Sequence, residues 1–142
     1  MKVSGDQVAA VRAMLARDTE AHQRISERLD LASELAHGLL ITAAFFLAAE
    51  RRFTGRAASD ITTFVADLRT RPGLSEIVNA RIAERLLLAT FTDEEINDIS
   101  GEGQADHFGV LLVGLTVDFS DAELDGLLNG ARELADEWLS AD

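Results

Sequence analysis

Three histidines, one of them in a Glu-x-x-His pair, are the side chains best suited to hold a metal in this sequence. Glu34 and His37 stand three apart, so a helix carries both on one face. Di-iron carboxylate bundles use that spacing twice and add two inward glutamates. Here the pair occurs once, and a second would have to be assembled from Glu20, His22 or Glu50. His22, His37 and His107 show no recognisable ligand spacing. The first two lie 15 residues apart. That is about 22 Å along a continuous helix, so they meet only if the chain reverses between them. A half-buried histidine beside a surface carboxylate is the simpler expectation. A metal-binding bundle built on His22, Glu34 and His37 is the alternative.

A second acidic group is Asp98, Ser100, Glu102, Gly103 and Asp106. These occupy positions one, three, five, six and nine of a twelve-residue calcium loop and resemble an EF-hand. That loop needs a bidentate carboxylate at position twelve, which here is Gly109. Ala105 also stands where the family places a branched apolar residue. The pattern therefore predicts a solvated acidic loop over residues 98–106, and no metal or cofactor is assigned.

Covalent catalysis finds no foothold. No cysteine and no tyrosine occur, and Lys2 is the only lysine. That excludes a thiolate nucleophile, a thiolate zinc site, an iron–sulfur cluster and a disulfide scaffold. Ser100-Gly101-Glu102-Gly103 follows no strand, so it is neither a nucleophile elbow nor a phosphate loop. The carboxylates fall at helix caps and exposed helical positions, with nothing to place a pair in unlike environments. No catalytic residue is assigned.

The elements that would position these groups all read as helix. Apolar residues recur at spacings of three and four, and no alternating run with a hairpin turn is present. The chain has 142 residues, 47% of them hydrophobic, which suits one domain with one core. The predicted fold is all-α, a bundle of about six or seven helices over residues 1–142.

A three-four seam runs through residues 6–53, interrupted at Asp18, His22 and Glu50. As one helix this segment would extend about 72 Å, far beyond a compact chain of this length. Breaks are possible at Asp18-Thr19, at Asp30 to Ser33 and at Gly38, and the expected one is near residues 30–33. The piece after it, Ser33 to Phe53, is apolar on most faces and should be the central helix.

Further helices are expected from Ser59 to the Pro72-Gly73 stop, from Ser75 to Ala89, from Gln104 to Val117 and from Asp121 to Ser140. Capping boxes are legible at Ser4/Gln7, at Thr92/Glu95 and at Ser120/Glu123. Gly109 and Gly114 inside one helix suggest close helix–helix approach, and Trp138 a core anchor.

Charge supplies the remaining functional signal. The chain carries 13 basic and 25 acidic side chains, net −12. Residues 86–142 hold 14 of the acids against Arg132 alone, net −13. Such a segment repels nucleic acid and anionic lipid and suits a basic protein. Arg51, Arg52, Arg56, Arg69, Arg71, Arg81 and Arg85 form the one basic stretch, read as a mixed helical surface and not as a phosphate patch.

The start lacks a signal-peptide core, and the longest run without charge, Leu35 to Ala49, is too short to span a membrane. A cytoplasmic location is expected. One lysine against 12 arginines suggests a GC-rich, bacterial source. The function these residues fit is a non-catalytic, acidic helical interaction module, homodimerising or adaptor-like. A neutraliser of a basic partner, of the antitoxin or immunity type, is the alternative within that class.

Overall fold

The computed structural model describes residues 2–16, 18–27, 34–55, 57–90, 96, 98–99 and 101–140. Among these the chain is all-helical, with no strand and eight helices. They are α1 (Gly5–Leu15), α2 (Thr19–Ser26), α3 (Glu34–Phe53), α4 (Ala58–Arg69), α5 (Leu74–Ile77), α6 (Ala80–Leu88), α7 (Gly101–Leu115) and α8 (Asp121–Ser140). The count exceeds six or seven because two expected helices are each divided.

The first division falls at residues 16–18. Asp18 caps α2, its Oδ1 accepting the Ala21 N–H at 3.1 Å, so the described part of residues 6–53 holds three helices where two were expected. The break expected at 30–33 lies outside the described residues. The second division falls at Val78-Asn79, inside the span read as Ser75 to Ala89. Asn79 caps α6 by accepting the Ile82 N–H at 3.1 Å. Neither cap has a glutamate or glutamine three residues on, so neither shows the reciprocal box that marks a helix start in sequence.

Among the described residues, two of the expected boxes form. Ser4 Oγ accepts the Gln7 N–H and Gln7 Oε1 accepts the Ser4 N–H, at 3.2 and 2.8 Å. Ser120 and Glu123 exchange the same pair of bonds at 3.2 and 3.1 Å. The Thr92 box lies outside the described residues. Ser59, expected as the cap of α4, stands inside that helix, and the N-cap is Ala57, whose N–H donates to Asp60 Oδ2 at 3.2 Å.

α3 is the central helix. Leu40, Ala43, Ala44, Phe45, Ala48 and Ala49 are all fully buried on it. α7 and α8 flank it. Phe45 meets Phe108 of α7 at 4.9 Å between ring centroids, and Phe46 meets Trp138 of α8 edge-on at 6.0 Å. Each buried Leu or Phe contributes about 1.5–3 kcal/mol, which is why a helix apolar on most faces takes the middle.

α1 lies along α8, held by Arg12 to Asp121 and Asp125, and by the Val3 N–H donating to Asp136 Oδ1 at 2.7 Å. α4 and α6 pack together, and α4 side chains reach α7 at Gly114. A Cβ built there would stand 3.0 Å from Leu68 Cδ1. Gly109, read the same way from sequence, has nothing within 4 Å of the equivalent point, so close approach is corrected to Gly114 alone.

Candidate functional site

The charge of His22 on α2 is felt at His37 on α3. His37, half-buried on α3, has a pKa below the ordinary 6.5, first through burial and then through the charge of His22 on α2. Its Nδ1 is buried without a hydrogen-bond partner among the described residues. Glu34 opens α3, but its side chain lies outside what the structure describes.

His107 is elsewhere and fully occupied. Its Nε2 accepts the Asn79 N–H at 3.0 Å, which leaves Nδ1 to carry the proton and donate to the Gly103 carbonyl at 2.7 Å. It therefore ties α7 to the α5–α6 junction and does not join His22 and His37. No cluster of three or more potential metal ligands occurs among the described residues.

The segment read as a solvated acidic loop takes a different form. Asp98 accepts from both terminal nitrogens of Arg85, at 2.7 and 2.9 Å. Those bonds first of all, with a backbone N–H bond next, hold its carboxyl down at about 2. From Gly101 the backbone is already α7, so Glu102, Gly103 and Asp106 stand on a helix. A helix does not present ligands at alternating positions to one ion. Ser100 lies outside the described residues.

The arginines are the residues whose role sequence reading missed. Arg69 Nε donates to the Val78 carbonyl at 2.9 Å and one of its terminal nitrogens to the Ser75 carbonyl at 3.3 Å. Arg85 is committed to Asp98. Arg51 and Arg52, in the last turn of α3, line a cleft of about 450 Å³ between that helix end, α4 and the turn leading into α8. Each lies over a phenyl ring, Arg51 over Phe119 at 4.6 Å and Arg52 over Phe64 at 4.9 Å.

Arg51 also bonds the Glu123 carboxylate, whereas Arg52 has no acid within 4.0 Å among the described residues. α4 contributes Asp60, Thr63, Phe64 and Asp67, and Phe53 and Leu115 complete the apolar surface. The spacing of those four α4 residues marks one helix face. Nothing local announces that Arg51 and Arg52 meet it.

α8 carries the strongest charge. Its apolar face, including Leu124, Leu127, Leu128, Ala131 and Ala135, is buried. Asp121, Asp125, Arg132, Glu133 and Glu137 face outward. No helix among the described residues is long and apolar enough to cross a membrane. No family model, curated protein or solved structure matches this chain.

Proposed function

We propose that this chain is a non-catalytic helical interaction module that receives a basic protein segment along the outward face of α8. The observation that carries this reading is the division of α8 into a buried apolar face and an exposed acidic one. Long-range attraction of that kind raises encounter rates with a cationic partner and rejects anionic ones.

Among the described residues the exposed large hydrophobics are Ile77 and Val117. Scattered single residues of this kind make a poor apolar patch, so the surface supports a charged heteropartner over self-association. Neutralisation of a basic toxin or enzyme is the narrower form of the same reading. The metal-binding alternative rests on one feature, the unpartnered Nδ1 of His37. A zinc titration that leaves the melting temperature unmoved removes it.

The test is affinity capture from a nuclease-treated host lysate, washed at low and then high salt. A stoichiometric basic protein that leaves at high salt supports the reading. Recovery of the bait alone, or of a partner indifferent to salt, overturns it.

A further inference from the structure

We propose that the cleft between α3 and α4 binds an amino-acid residue bearing a free carboxylate. The starting point is a comparison within the cleft. Arg51 and Arg52 are built alike, each guanidinium lying over a phenyl ring. Such stacking fixes the plane and leaves the N–H edge available for the paired hydrogen bonds that carboxylates make. On Arg51 that edge already holds a carboxylate, from Glu123. Arg52 presents the same arrangement over Phe64 with no acid on it among the described residues. A ligand carboxylate would do for Arg52 what Glu123 does for Arg51.

The rest of the cleft narrows the ligand. Asp60 and Asp67 line its α4 side. Asp60 uses one oxygen on the Ala57 N–H, and Asp67 has no side-chain partner among the described residues. A simple anion would meet these carboxylates and a chain of net charge −12. A ligand that also carries N–H donors satisfies both sides at once. Phe53 and Leu115, 5% and 1% exposed, close the floor of the cleft, so its recognition rests on the polar groups at its rim. The volume, about 450 Å³, lies in the range of small-ligand clefts and admits one to a few residues.

The shared chemistry has two sources, a free amino acid and a peptide C-terminus. Calorimetric titration of the purified chain separates them with three probes: L-phenylalanine, the acid acetyl-Gly-Gly-Phe, and the same peptide as its C-terminal amide. The acid forms should bind saturably, with the amide weaker by about tenfold or more, the worth of one charge-assisted pair. Arg52→Gln should erase the difference between acid and amide, and Arg52→Lys should keep only part of it, because an ammonium lacks the planar fork. Arg52 is exposed, so the melting temperature should hold in both variants.

Asp67→Asn sorts the sources. Loss of L-phenylalanine binding assigns the cleft to the free amino acid, whose ammonium needs the charge. Saturable binding of the acetylated peptide acid with none of L-phenylalanine to the unmodified chain assigns it to a peptide terminus. The proposal is overturned if acid and amide titrate alike, if Arg52→Gln leaves the acid's affinity unchanged, or if no probe gives a saturable signal at about 10 mM. The inference is independent of the α8 reading, and a negative titration leaves that reading standing.

Discussion

Replacing glycine by alanine should change sign between two positions five residues apart on the same helix. In an exposed helix interior the substitution gains about 1 kcal/mol, because glycine loses more backbone freedom on folding. Gly109 on α7 and Gly126 on α8 have helical backbone and nothing within 4 Å of the added carbon. Each variant should gain about 0.5–1 kcal/mol.

At Gly114 the same carbon would sit 3.0 Å from Leu68 Cδ1, 3.4 Å from Phe64 Cζ and 3.6 Å from Leu68 Cδ2. Carbon pairs prefer about 3.5–4.0 Å, so the closest contact is short by about half an ångström or more. Leu68 is 2% exposed and Phe64 9%, and neither has solvent to swing into. Overpacking of a closed site costs about 1–3 kcal/mol, which exceeds the propensity gain. Gly114→Ala should therefore lose between about 0 and 2 kcal/mol net.

Urea unfolding followed by circular dichroism reads this as opposite shifts in midpoint at constant slope. Leu68→Ala should absorb the added methyl, so the double variant should be more stable than the two single losses sum to, with a coupling of about 0.5–3 kcal/mol. A Gly114→Ala chain as stabilised as Gly109→Ala, or strict additivity with Leu68→Ala, refutes the argument.

Three further outcomes follow from the hydrogen-bond and charge geometry. His37 is held below its ordinary pKa by burial first, so at low pH the unfolded state binds the proton more readily than the native state. Stability should fall as pH drops through 6.5 toward the depressed value; His37→Leu should flatten that fall in a melting-temperature series and, by removing the unpartnered Nδ1, raise stability by about 1 kcal/mol near neutrality. Asp98 shows the acid-side counterpart: its pair with Arg85 contributes fully above 3.8 and is lost as pH falls toward about 2, so Arg85→Gln should remove a stability loss in that window and change little below it. His107→Leu strands the Asn79 N–H and should cost about 1–2 kcal/mol in urea unfolding, with Asn79 among the amides whose hydrogen exchange quickens most.

How much of this was legible depends on how local the cause is. The Ser4/Gln7 and Ser120/Glu123 starts are fixed by side chains three residues apart, and both form as the spacing predicts. The central place of α3 is likewise written in its charge-free stretch from Leu35 to Ala49. Asp18 and Asn79 cap helices with one bond each, a signal that an ordinary surface Asp or Asn also gives, so Asp18-Thr19 stands as one candidate break among three and Asn79 is not marked at all. Gly109 and Gly114 are equivalent as sequence; only the arrival of Leu68 from α4 separates them. The cleft is the extreme case. Arg52 and Phe64 belong to different helices, and their meeting follows from packing rather than from any motif.

Charge shows the same limit, and with it the final prediction. Counted along the chain, residues 86–142 are uniformly acidic apart from Arg132. Folding redistributes that count, because Arg12, Arg51 and Arg85 from earlier segments each reach an acid in the later one. The first turns of α8 gain most: Arg12 bonds both Asp121 and Asp125 at 3.0 Å, and Arg51 bonds Glu123. Exposed pairs of this kind contribute little to stability, but they cancel the local field a partner would sense.

Farther along α8, Asp136 is used by the Val3 N–H, and Glu133 and Glu137 have no cation bonded to them among the described residues. Counting Arg132 against Glu133, Asp136 and Glu137, the C-terminal half still carries a larger net negative charge than Asp121, Glu123 and Asp125 with Arg12 and Arg51 on them. If a basic segment docks on α8, Glu133→Gln with Glu137→Gln should weaken its capture at low salt more than Asp121→Asn with Asp125→Asn, although both pairs remove two charges. Equal losses would mean that the partner responds to net charge alone. A larger loss from the Asp121 and Asp125 pair would place the docking surface at the start of α8, where the partner would have to displace Arg12.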